Sequence, residues 1–135
     1  MSAPLPPPDI ASRWPAILAL GTETRIERIF TAAYDPVYFD KTLSGRLNAP
    51  DGSFGVLYAA ETLRGAFAET FLREPGRTLI AADEISRKAR AQLATTRPVN
   101  LVALMGAGLA QIGATAEVIH GGLPYDAPQQ WAAAL

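Results

Sequence analysis

Between Arg25 and Phe71 the chain carries Arg28, Arg46, Tyr58 and Glu69, an order of residue types that suits a pocket for a dinucleotide. Each type brings its own chemistry. A guanidinium offers a planar fork of donors that matches phosphate oxygens. A phenol ring stacks on a flat base or sugar face. A carboxylate can face a sugar carbon that gains positive charge. Gly65 lies one helical turn before Glu69 and leaves bare backbone beside it, at a cost of about 1 kcal/mol against alanine in a helix interior. Each residue also has a plain structural alternative. Glu69 can pair with Arg73 at i,i+4. Tyr58 can pack in a core, Arg28 can point outward from a strand, and Arg46 can be a loop charge.

Other chemistries find little support. The chain has no cysteine, which excludes disulfides, a thiol nucleophile and cysteine zinc sites. The single histidine, His120, argues against a metal centre. No nucleophile-elbow sequence accompanies it. Gly106-Ala-Gly108 lacks the third glycine of a dinucleotide fingerprint. The basic residues do not cluster with aromatics, so nucleic-acid binding is not expected.

The elements that must position the four side chains read as follows. Met1 to Pro8, with four prolines, is expected as a flexible arm, and residues 9–135 as a single domain. Ile10, Trp14, Ile17 and Leu18 fall at helical spacing after Asp9. Thr24 to Ala33 reads as a strand, and the polar, turn-rich stretch to Phe54 as a loop. Val56 to Ala60 is a short apolar strand. Thr62 caps a helix to about Leu72, with Leu63, Ala66, Phe67 and Phe71 as its apolar stripe. Thr78 to Ala82 reads as a strand, and Ser86 as the cap of a helix to Leu93. Pro98 to Leu104 is a buried strand, Gly108 to Ile112 a helical turn, and Ala127 to Leu135 a last helix. Short strands and helices without a βαβ rhythm predict an α+β fold.

At 135 residues, 49% hydrophobic and 19% charged with a net charge of −1, the chain is globular and has no general attraction to nucleic acid or an anionic membrane. No signal-peptide pattern opens it and no run is long enough to span a bilayer, so the expected location is the cytoplasm. Ten of the twelve basic residues are arginine, which fits either phosphate recognition or a GC-rich genome.

The ordered set Arg28-Ile-Phe, Ser44-Gly-Arg-Leu, Val56-Leu-Tyr-Ala-Ala and Ala66-Phe-Ala-Glu, followed by Arg97-Pro-Val-Asn-Leu-Val-Ala-Leu, Gly108-Leu and Gln130-Trp-Ala, resembles the RES-domain family from about Arg25 to Leu135. These are bacterial toxins encoded beside an Xre-like antitoxin. The resemblance implies a fold similar to the ADP-ribosyltransferases of the diphtheria-toxin type, and NAD as substrate with no metal. Arg28 and Glu69 match the family's Arg and Glu, while Arg46 and Tyr58 match further pocket positions. The family's Ser lies beyond Leu135, which predicts that the chain lacks a C-terminal segment. The implied activity is NAD consumption by hydrolysis or phosphorolysis. The alternatives are transfer of ADP-ribose to a protein target, or binding without catalysis. All of this expects the four side chains to line one hollow.

Overall fold

The computed structural model describes residues 3–135. The expectation of a flexible arm therefore lies, for Met1 and Ser2, outside the described residues. Secondary structure runs β1 (Ile17–Leu20), β2 (Arg25–Thr31), α1 (Leu63–Phe71), α2 (Ala82–Ser86), β3 (Lys88–Ala94), β4 (Val99–Val102), α3 (Ala107–Ile112), α4 (Glu117–His120) and α5 (Asp126–Ala134). The fold is α+β, with β1 paired to β4 and β2 to β3 in two small sheets. The chain divides into two compact units. One holds residues 3–20 with Phe39–Val56 and Asn100–Leu135; the other holds Gly21–Tyr38 and Leu57–Val99.

In the first unit, Ile112 of α3, Ala114 of the connection after it, Val118 of α4 and Trp131 of α5 form a buried apolar cluster. The Trp131 indole N–H donates to the carbonyl of Pro4 at 2.7 Å, and Pro7 accepts from the Ile10 N–H. Residues of the proline-rich stretch are thus bonded into this unit. Pro128 and Gln129 join Trp131 on the buried side of α5.

In the second unit, β2 and β3 run antiparallel, with Glu27 opposite Gln92 and Arg28 opposite Ala91. Alternation sorts the ladder into two faces. Glu27, Ile29 and Thr31 share one with Lys88, Arg90 and Gln92; Ile26, Arg28 and Phe30 share the other with Ala89, Ala91 and Leu93. The first is polar. The second is apolar except for Arg28. Helix α1 packs against β2, burying Ala66 and Phe71. The Phe67 and Phe71 rings meet at 4.8 Å. Leu63 and Leu72 stay exposed, and with Phe67 and the Arg64 side chain they line an open apolar hollow of about 420 Å³.

Several expected elements differ. The helix expected from Ile10 is only a 3-10 turn, Ile10–Ser12, followed by β1. Pro15 disfavours helical backbone at Trp14 and supplies no N–H. The expected strand Val56 to Ala60 has no ladder; only its ends are bridged, Val56 to Asp40 and Ala60 to Glu27. Thr78 to Ala81 is irregular and α2 begins at Ala82. The helix expected from Ser86 is instead the strand β3. Ser86 is the last residue of α2, its hydroxyl donating to the Asp83 carbonyl. Helix propensity at Ala89, Ala91 and Ala94 is a weak preference, and pairing with β2 overrides it. Thr62 does cap α1: its hydroxyl oxygen accepts from the Gly65 N–H at 3.0 Å. The buried strand expected from Pro98 to Leu104 is shorter, Val99–Val102, and none of its residues is buried; the short helix α4 has no counterpart in the sequence reading.

Candidate functional site

Arg28 is a charged side chain on an apolar strand face. It reaches the loop before α1, where its Nη1 donates to the carbonyl of Tyr58 at 2.7 Å. The Nε–H is buried and has no hydrogen-bond partner. Burial pulls the guanidinium below the ordinary arginine range. A buried donor left without an acceptor is costly, about 1–3 kcal/mol and more when charged.

Tyr58 sits in the same unit, but not in a buried strand. Its residue is 41% exposed. Glu69 lies on the exposed side of α1, within the same unit. Gly65 has a local explanation: an added Cβ would sit 3.2 Å from the Ala60 Cβ and 3.3 Å from the Thr62 hydroxyl. Its bareness lets the start of α1 pass close to the 60–62 segment.

Arg46 belongs to the first unit and is already engaged. Its Nε and Nη2 both donate to the Gly121 carbonyl, at 3.2 and 2.9 Å, and the guanidinium stands 5.2 Å from the centre of the Tyr125 ring. The loop that carries it is built around Asp40. That carboxylate accepts from the Thr42 N–H, the Thr42 and Ser44 hydroxyls and the Asn48 amide. Burial pushes the Asp40 carboxyl up, but these hydrogen bonds outweigh it and hold the group below the usual carboxylate value. Asn48 is fully buried and also donates to the Thr42 carbonyl. Gln129 of α5 donates to the carbonyls of Leu43 and Gly45.

Among the predicted residues, then, Arg28 is bonded to the Tyr58 peptide, with Gly65 and Glu69 on the helix that packs against the strand of Arg28. Arg46 is held by Gly121 in the other unit. Sequence reasoning missed Glu27. It is 7% exposed, and its carboxylate accepts from Arg90 Nε, Arg90 Nη2 and Gln92 Nε2 at 3.0 to 3.1 Å. The Arg90 bonds hold Glu27 below the usual carboxylate value, against the opposing effect of burial. The available signal was the alternation Arg90-Ala-Gln92-Leu, which has the period of a strand.

Among the described residues no group of three histidine, aspartate or glutamate side chains could hold a metal ion, and no helix is long and apolar enough to cross a membrane. The molecule is a small α+β protein with a half-buried arginine on an apolar sheet face. Residues 24–135 match the RES domain, and the chain belongs to that family, which is associated with NAD-utilising, toxin-like activity. No curated protein and no solved structure matches the chain.

Proposed function

We propose that this protein consumes NAD by breaking the bond between nicotinamide and ribose, as the toxin of a toxin–antitoxin module. Family membership supports the NAD-utilising class. The observation that carries the assignment to particular residues is Arg28 itself, a guanidinium on an apolar sheet face, tied to the Tyr58 carbonyl by Nη1 and with its buried Nε–H unanswered by the protein. The proposed fold type is that of the ADP-ribosyltransferases.

In the proposed reaction the bond from ribose C1″ to nitrogen breaks and its electron pair leaves with nicotinamide, which departs neutral and needs no acid. The ribose passes through an oxocarbenium-like state. The Glu69 carboxylate stabilises that cation and orients the nucleophile. Water or inorganic phosphate forms the new bond to C1″ and releases its proton to solvent. Arg28 grips the diphosphate and Tyr58 stacks on the nicotinamide or ribose face. Arg46 and Gly65 stay outside the proposed contacts, because their protein neighbours account for them. The proposed partner is an Xre-like antitoxin, and the proposed location is the cytoplasm, where NAD is available.

Nicotinamide release by purified protein tests the proposal. Glu69→Gln should retain NAD binding by calorimetry and lose turnover by about 10²–10³-fold. Turnover at the wild-type rate in this variant removes Glu69 from the mechanism. Incubation of labelled NAD with cell extract should yield free ADP-ribose or its 1″-phosphate. Label on protein instead makes the enzyme a transferase, and binding without nicotinamide release makes it a non-catalytic module.

A further inference from the structure

Strand β3 is rich in alanine, with Ala89, Ala91 and Ala94 among its residues, and such a strand says little about its own register. A slip of one residue against β2 would turn each side chain to the opposite face. Arg28 would then share its face with Lys88, Arg90 and Gln92. What distinguishes the observed register is the polar face, where Glu27 accepts from Arg90 and Gln92 and Lys88 Nζ donates to the Thr31 hydroxyl at 3.1 Å. Glu27 also holds the segment that Arg28 touches. Its N–H donates to the Ala60 carbonyl at 2.7 Å, and its carbonyl accepts from the Ala60 N–H at 2.8 Å. Two residues earlier, the Tyr58 carbonyl accepts from Arg28. Consecutive residues of β2 thus clasp residues 58–60 together, one through its peptide and the next through its side chain.

We propose that Glu27 is a positioning residue: clamped by Arg90 and Gln92, it locks the β2–β3 register and the 58–60 segment so that the guanidinium of Arg28 stays seated on the Tyr58 carbonyl, in the orientation that meets the substrate phosphate. This rests on the reading of Arg28 as a phosphate grip. Glu27 touches no substrate and acts from the opposite face of the sheet. Tyr58, at one end of the clasped segment, is placed by the same device.

The test uses Glu27→Arg, Arg90→Glu and the double exchange in the full chain. In the wild type, the Arg28 Nε–H signal, assigned by loss in Arg28→Lys, should exchange slowly with solvent. Either single reversal should raise its exchange rate at least about tenfold and raise KM for NAD by a similar factor with kcat within about twofold, the signature of lost binding rather than lost chemistry. The double exchange should restore both. If a single reversal fails to fold, Glu27→Gln and Arg90→Met are read in the same way. Unchanged Nε–H exchange and unchanged KM in folded variants overturn the proposal, as does a folded double exchange that restores neither. The exchange measurement needs no turnover. A wild type that releases no nicotinamide therefore removes the NAD reading, while the positional role of Glu27 is still decided.

Discussion

Arg46 and Arg28 show how differently the two units treat one kind of side chain. In the first unit, around Trp131, Ile112 and Val118, polar groups are answered locally: Arg46 by Gly121, Gln129 by two carbonyls, Asp40 by four donors. The second unit fully buries few apolar side chains, Ala66 and Phe71 among them, and rests on the β2–β3 ladder. There one donor of Arg28 is left unanswered. A satisfied network fixes a shape. An unsatisfied donor is a cost that a native structure keeps where a ligand offsets it. On the function proposed above, binding falls to the sheet unit and scaffolding to the unit around the tryptophan.

The harshest test of that division is Trp131→Ala. It should destabilise the protein by about 3–5 kcal/mol, from the cavity and the lost partner of the Pro4 carbonyl, read by chemical denaturation. A cost below about 1 kcal/mol would mean that the first unit does not depend on its core. A matched pair of substitutions sharpens the comparison. Arg46→Met strands the Gly121 carbonyl and should cost about 1–3 kcal/mol. Arg28→Met also loses a bond to a carbonyl, that of Tyr58, but removes a partly desolvated charge from an apolar face, so it should cost less than Arg46→Met while abolishing NAD binding. Equal losses of stability in both variants would erase the contrast between the arginines.

The smallest effect is in acid. The folded value of Glu27 lies below its ordinary value of 4.5, so its contribution to stability is fully present above that ordinary value. It fades as pH falls toward and through the lower folded value. Urea midpoints between neutral pH and pH 3 should therefore fall less steeply in Glu27→Gln than in the wild type. Parallel curves would show that the Arg90 clamp adds nothing in the folded state.

Much of this was legible in the residues. Thr62 announces the start of α1, Arg25 to Thr31 reads as a strand, and Pro128 marks the last helix. The family resemblance supplies Arg28 and Glu69 as the residues of the proposed chemistry. What failed were the stretches whose local preference is weak or misleading. Alanine at 89, 91 and 94 fits a helix as well as a strand, and only the partner carboxylate of Glu27, about sixty residues away, decides between them. Val56 to Ala60 is apolar enough for a strand, yet it pairs only at its two ends. Gly65 gave a true signal of close approach, but the approaching group is the chain's own Ala60. The engagement of Arg46 by Gly121 spans 75 residues and leaves no local trace.

The greasy hollow on α1, bounded by Leu63, Phe67 and Leu72, carries a practical lesson for handling the purified protein. Solvatochromic dyes such as ANS will light up on the intact molecule. Thermal scans followed by such a dye will start from a bright baseline, so melting is better followed by circular dichroism or tryptophan emission.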